Sequence, residues 1–398
     1  MTAVHPIARA LLSTGGTGAQ NYDEFADERE ITDIIAANPT SALAVEMPHR
    51  APDSLGSSFA DALPAAARRL TQAKNEGRYR EHDRIVAVYR ISGPEGTGYG
   101  LWCMVDTDQI STSADEPGLV IRNEDVFIEK VRERVALVRA TGHLLSPVLL
   151  LQTGRGEELH AALEQVASSA GEPAVRDVDQ AGRVHEVWPV EPGEAQDRLL
   201  ALAGGGDLVV ADGNHRSLAA QLAELPRFLA VVTTPGSVTI QPYNRLISEL
   251  TVTADELAAR LERAGASVLR APGTADLPAR GGVVHLYTNG EAWAVTLPAG
   301  TGSVVDNLDH AQVERLLLRD ALGLDPGDKR ITYVGGDYPA SWLVREVDEG
   351  RAALAVLIAP VTVDDFVAVN LARLKMPRKS TWFTPKARAG LVVADLTE

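Results

Sequence analysis

Apolar residues recur every three or four positions over residues 59–76, 126–140, 157–169, 193–203, 214–225, 254–264, 310–322 and 363–374. That spacing predicts helices that each bury one face. Short apolar runs at 42–47, 85–91, 100–106, 147–152, 184–189, 208–211, 228–233, 283–287, 292–297 and 353–358 predict strands. A polar turn at Tyr22 leads into a further helix, begun by Asp27 or Glu28 and ended at Asn38-Pro39. The segment SGPEGTG and the pair Asn289-Gly290 each join two strands as a hairpin. Asn-Gly suits the two positive-φ positions of the tightest hairpin turn. Strands and helices mix without regular alternation, so the fold class is α+β rather than a doubly wound sheet. The best boundary lies near Leu250, separating a domain of residues 1–250 from a second, smaller α+β domain of 251–398 with a Lys-rich tail.

Composition narrows this picture. A chain of 398 residues suggests two or three domains, and 45% apolar content supplies a core without disulfides. Cys103 is the only cysteine, which excludes an intrachain disulfide and a cysteine-based zinc site. It falls mid-strand beside Trp102, where core packing is expected. The nine histidines are scattered and no His-Glu-x-x-His occurs. With 38 basic and 54 acidic residues the net charge is −16, which argues against broad binding to nucleic acid or anionic membrane. No apolar run reaches the roughly 18–20 residues of a spanning helix, and the first residues do not read as a signal peptide. A cytoplasmic protein with a small-molecule substrate is expected, with no nucleic-acid or membrane partner.

Candidate chemistry concentrates in the segment DLVVADGNHRSLAAQLAEL. An apolar strand feeds the turn Asp212-Gly213, and a helix begins at once. Gly213 permits close approach of a ligand. The N–H groups of Asn214, His215 and Arg216 then stand at a helix N-terminus, where phosphate binds readily. Arg216 is suited to clamp phosphate oxygens, His215 to donate to the same phosphate or stabilise charge, and Asp212 to hold Mg²⁺ or orient His215. The plainer alternative is that Asp212 caps the helix and His215 packs. No Gly-x-Gly-x-x-Gly follows a strand, which disfavours a dinucleotide-binding unit.

This turn, with other motifs, carries a resemblance. Tyr22-Asp23, Asn38-Pro39, Glu124, Arg134, RATGHLLSP, Asp212 to Arg216, Pro242 to Leu246, Met376 to Thr381, and Phe383, Pro385 and Lys386 resemble the bacterial family called domain of unknown function 1015. The resemblance spans nearly the whole chain. The turn is also similar to that of the ParB/sulfiredoxin superfamily, whose free-serine kinases carry Asp-Gly-His-His-Arg there. The resemblance implies a ParB/sulfiredoxin-like N-terminal fold and phosphoryl transfer, using ATP or ADP with Mg²⁺, to the hydroxyl of serine or a serine-like amino acid.

It also suggests roles for residues. The catalytic carboxylate is expected within Asp23, Glu24, Asp27 and Glu28, with Asp23 first and Glu24 second; the alternative is a solvated, acid-rich helix start. Arg134 matches a family arginine suited to a nucleotide phosphate, although Lys130 and Arg134 also read as a solvated face. Arg245, read as lying in a loop, offers a second phosphate clamp. Glu124, Lys379, Ser380 and Thr381 are substrate or lid candidates, and Lys379 and Lys386 are suited to an anion. Three positions depart from the family: Asn123, Asn214 and Asn244 replace histidines. Asparagine hydrogen-bonds but cannot serve as a base near neutral pH.

A nucleotide-dependent kinase of a small metabolite is the leading reading. The alternative is a non-catalytic nucleotide-binding or ParB-like switch protein. Sulfiredoxin-type chemistry needs a cysteine at the position of Asn214, and DNA partitioning fits poorly with a charge of −16.

Overall fold

The computed structural model describes residues 3–16, 20–22, 24–25, 27–111, 118–300 and 302–397. The chain forms two compact units, Met1–Thr239 with Pro385–Glu398, and Ile240–Thr384. Both combine helices with sheets, in keeping with the α+β class. The division lies ten residues before Leu250, at Ile240, and the C-terminal segment returns to the first unit. It returns because Val392–Asp395 pairs with Ile7–Ser13, with Ala10 opposite Ala394. The Lys-rich tail is therefore partly a sheet strand of the first unit.

Among the described residues the first unit contains a twelve-stranded mixed sheet. Its central strands run in the order Val120–Ile121, Leu208–Asp212, Val148–Gln152, Arg227–Thr233, Gly96–Asp106 and Tyr79–Gly93. Most pairs are antiparallel, but Val148–Gln152 runs parallel to Arg227–Thr233 and Leu208–Asp212 runs parallel to Val120–Ile121. Alternate residues Val148 and Leu150, Leu208 and Val210, and Ala230 and Val232 share one core with Leu159 and Leu163 of helix Gly156–Ser169 and Leu199 of helix Glu194–Ala203. Period two in the strands meets a three-to-four repeat in the helices, which buries one face of each. Cys103 lies within this core opposite Ala230, and burial pushes its thiol pKa up, so it is an inert core residue.

The second unit is built on a six-stranded antiparallel sheet among its described residues. Its strand Leu354–Ile358 explains the longest apolar run. Leu354, Val356 and Ile358 join a core with helix Ala254–Arg263, while Ala355 and Leu357 join another with helix Ala340–Asp348. A strand covered on both faces is apolar throughout.

Several local expectations change. Residues 42–47, read as a strand, contain the helix Ala42–Glu46, started by Ser41, whose hydroxyl accepts the Ala44 N–H at 3.3 Å. Ala, Leu and Glu are good helix formers, and the cap decides a run too short to show a period. Arg245 sits in the strand Asn244–Ile247 rather than a loop. The helix expected over 310–322 is a short α segment, Asp309–Gln312, followed by π-helix over Val313–Ala321. Among the described residues no helix is long and apolar enough to cross a membrane.

Candidate functional site

The strand Leu208–Asp212 brings its last residue out of register. Val210 faces Leu150, yet Asp212 faces Leu149, so a bulge at Ala211 re-aims the Asp212 carboxylate. Gly213 follows with φ +97°. A Cβ there would stand 3.2 Å from the Val148 Cα and 3.0 Å from the Arg216 Nε. Both the backbone conformation and the close strand require glycine. Helix Asn214–Leu222 begins at once, with Gly213 at the cap position and so no side chain there to cap it. Asp212 therefore does not act as the cap. The positive end of the helix dipole lies at this turn.

Charged side chains frame this turn. Arg216 is buried and donates to both the Pro147 carbonyl and Asp212 Oδ2. It braces the turn, which is a different task from an open phosphate clamp. Lys386, from the returning C-terminal segment, places Nζ 3.7 Å from Asp212 Oδ1. Both carboxylate oxygens of Asp212 thus face cations. That arrangement fits poorly with Asp212 as a magnesium ligand, and the described residues contain no group of three His, Cys, Asp or Glu suited to a metal.

His215 accepts a hydrogen bond at Nε2 from the Phe127 backbone N–H, 3.1 Å away, and lies parallel to the Phe127 ring at 6.2 Å. Acceptance at Nε2 puts the proton of the neutral ring on Nδ1. Asn214 Nδ2 donates to Asn123 Oδ1, and both side chains are buried. Two of the three asparagine replacements are therefore one contact. The third, Asn244, lies in the second unit and accepts the Ile358 backbone N–H at 3.0 Å. Glu124 follows Asn123 and is partly buried, whereas Lys130 is exposed on helix Ile128–Thr141.

Arg134, on the same helix, is not on a solvated face. It is 5% exposed, and its guanidinium stacks 4.3 Å above the Tyr22 ring. Asp23 lies outside the described residues. Glu24, the second carboxylate candidate, has its Oε2 paired with Arg388. Arg388 also donates to Asp179 Oδ2 at 2.9 Å, Asp179 pairs with His185 at 3.2 Å, and the Tyr89 hydroxyl meets His185 Nδ1 at 2.6 Å. Burial raises the Asp179 carboxyl pKa, but the His185 hydrogen bond and the Arg388 charge outweigh it and hold that pKa well below the usual range. Glu24 is thus tied into a buried ion network rather than standing open as a base.

Arg245, Lys379, Ser380 and Thr381 all belong to the second unit. Arg245 is fully buried, donates to the Tyr243 carbonyl at 2.7 Å and stacks 4.4 Å over Tyr333. Lys379 Nζ lies 5.6 Å over the Tyr243 ring, Ser380 is buried and Thr381 is partly buried.

Sequence reasoning did not select Arg388, and it grouped Lys386 with the tail. Arg388 carried no local signal, because its partners are 209 and 364 residues away.

No curated protein matches this chain significantly. Among solved structures the chain is similar to a free serine kinase in complex with AMP, at 14% identity and a TM-score of 0.40, covering 73% of this chain and 92% of that one. A free serine kinase variant in complex with ADP is similar at 13% identity and a TM-score of 0.41, with the same coverage. A conserved hypothetical protein from Pyrococcus furiosus is similar at 12% identity and a TM-score of 0.39, covering 72% of this chain and 93% of that one. The sequence profile described as "Protein of unknown function (DUF1015)" matches residues 17–311, most of the chain, and the protein belongs to that family.

Proposed function

We propose that this protein is a nucleotide-dependent kinase that phosphorylates the hydroxyl of a small metabolite, serine or a serine-like amino acid. The observation that carries this reading is the uncapped helix N-terminus after the left-handed Gly213, bordered by Arg216 and Lys386. Backbone N–H groups and nearby cations are the means by which proteins hold transferring phosphates. The turn residues resemble those of free-serine kinases, which supports serine as the acceptor class. In this reading the first unit is ParB/sulfiredoxin-like, and ATP or ADP places its phosphates at Asn214 to Arg216. Magnesium arrives with the nucleotide, since Asp212 is already flanked by Arg216 and Lys386. Asp23 is the preferred base, because Glu24 is held by Arg388.

Phosphorus NMR of the purified protein with Mg²⁺, ATP or ADP, and hydroxy amino acids tests this. A new phosphomonoester that depends on the amino acid is expected. Failure to bind either nucleotide would reduce the turn to a plain helix start and end the kinase reading.

A second reading, nucleotide binding without turnover, is favoured by the Asn123–Asn214 contact. An amide pair stands where the family carries two histidines, and it moves no proton. Saturable ADP binding with no phosphoryl transfer to any acceptor is its expected signature.

A further inference from the structure

The stretch from Lys386 to Ala389, where the chain re-enters the first unit, touches two separate parts of the proposed site. Lys386 Nζ stands 3.7 Å from Asp212 Oδ1 at the turn. Two residues on, the planar fork of Arg388 spans two carboxylates. Its Nη1 donates to Glu24 Oε2, and its Nη2 donates to Asp179 Oδ2 at 2.9 Å. An extended chain covers about 3.3–3.6 Å per residue, so the Cα atoms of Lys386 and Arg388 are at most about 7 Å apart. The turn and the acid-bearing segment that holds Asn21 and Glu24 are therefore tied to one short piece of backbone.

Backbone contacts fix that segment as firmly as charge does. Asn21 is 1% exposed. Its Nδ2 donates to the Ala387 carbonyl at 2.9 Å, and its Oδ1 accepts the Ala389 N–H at 3.0 Å, so its two bonds straddle Arg388. Asp179 is held in turn, because its Oδ1 accepts the N–H groups of Ala181 and Arg183, each at 2.9 Å. Beyond Ala389 the Gly390 N–H donates to the Leu145 carbonyl at 3.0 Å, and strand Val392–Asp395 anchors the remainder. Stability alone accounts poorly for such a network, since apolar residues of similar volume often replace a complete buried ion pair without loss. What the guanidinium fork supplies is a fixed distance and angle between two carboxylates.

We infer that Arg388 and Asn21 are positioning residues for phosphoryl transfer, holding the acid-bearing segment on the same stretch that carries Lys386 to the turn. The inference rests on the kinase reading above and divides the labour within it. Lys386 serves the nucleotide phosphates, whereas Arg388 and Asn21 act through the segment from which the base is drawn. An ångström of misplacement at a reacting group costs on the order of a hundredfold in rate. Loosening the segment should therefore lower kcat and spare nucleotide binding.

Steady-state kinetics of the full-length protein with L-serine and ATP or ADP, alongside calorimetric titration with ADP, tests the assignment. Arg388→Gln and Asn21→Ala are each expected to lower kcat at least tenfold, with ADP affinity within twofold of wild type. Arg388→Lys keeps the charge without the fork and should recover at least threefold over Arg388→Gln. Lys386→Met, two residues away, should show the opposite split, with ADP affinity at least tenfold weaker. Leu159→Ala, in the core of the same unit, controls for stability. It should lower the melting temperature yet keep its kcat when assayed well below that temperature. Wild-type kcat in Arg388→Gln and Asn21→Ala overturns the inference. An equal loss of kcat in Leu159→Ala, or an equal loss of ADP affinity in the Arg388, Asn21 and Lys386 variants, overturns it as well. A circular-dichroism melt checks folding, and Asn21→Ala with Arg388→Lys decides the question if Arg388→Gln fails to fold. Wild type that binds ADP but phosphorylates no hydroxy amino acid removes the kinase reading and the positioning role together. A wild type that transfers phosphate beside unaffected variants removes the positioning role alone.

Discussion

The Asn214 side-chain nitrogen donates to the Asn123 side-chain oxygen across 91 positions of sequence. The contact ties the first residue of the turn helix to the segment that enters helix Ile128–Thr141. Removing either partner leaves a buried amide unsatisfied, at a cost of about 1–3 kcal/mol. Asn123→Ala and Asn214→Ala are therefore each expected to lower the urea midpoint. The double variant should lose less than the sum, by about 0.5–3 kcal/mol. Strict additivity in a double-mutant cycle would show that the contact carries no energy.

Gly213 and Arg216 are expected to differ in what they report. Gly213→Ala places a Cβ at φ +97° and 3.2 Å from Val148, so it should cost more than about 1 kcal/mol in stability. Arg216→Ala removes the brace between Asp212 and Pro147 and one cation beside the phosphate site. Phosphoryl transfer should then fall on the order of a hundredfold, the usual cost of losing one positioned donor. Full transfer in Arg216→Ala, measured with the NMR assay, would exclude any role for it near the phosphates.

Arg388 is expected to dominate the stability of the first unit. Arg388→Met leaves Glu24 and Asp179 buried beside each other's charge, which should cost about 3–5 kcal/mol. The pH dependence has a definite sign. The folded Asp179 carboxyl titrates below its ordinary 3.8, so its stabilisation is complete above that value and disappears as pH falls through the lower folded value. Acid unfolding followed between pH 5 and pH 2 should show this loss in wild type and a flatter curve in Arg388→Met.

His310 makes the second unit sensitive to milder acid. Burial, assisted by the Arg245 charge, lowers its pKa from 6.5 to about 3. The unfolded chain takes up this proton near pH 6.5 and the folded chain does not. Stability from the neutral ring is thus complete above pH 6.5 and declines as pH falls toward 3. His310→Gln keeps a donor for the Tyr243 carbonyl, 3.3 Å away, and removes the titration. Its urea midpoint should change less than that of wild type between pH 7 and pH 4.5. Equal slopes would assign the acid sensitivity to another group.

The elements that carried their own period were legible in the chain. Helix Gly156–Ser169, the strands on either side of Asn289-Gly290, and the strand–turn–helix at Asp212 to Asn214 all follow from local residues. The run at 42–47 was not legible as a helix, because five helical residues are too few to show a period. Arg134 read as a phosphate contact or part of a solvated face and Arg245 as a clamp in a loop, yet aromatic rings from distant segments bury them.

Sequence alone determined the α+β class, the turn at Gly213 and the identity of its polar residues, because periodicity and steric demand act over a few neighbouring positions. Tertiary structure decided what those residues do. It sent Arg216 to brace Asp212, joined Asn214 to Asn123, brought Lys386 to the turn and locked Glu24 onto Arg388. Hydrogen bonds and ion pairs depend on distance in space, and the separations here run from 4 residues to 364. Only the packed sheet, which returns the end of the chain to its beginning, sets those distances.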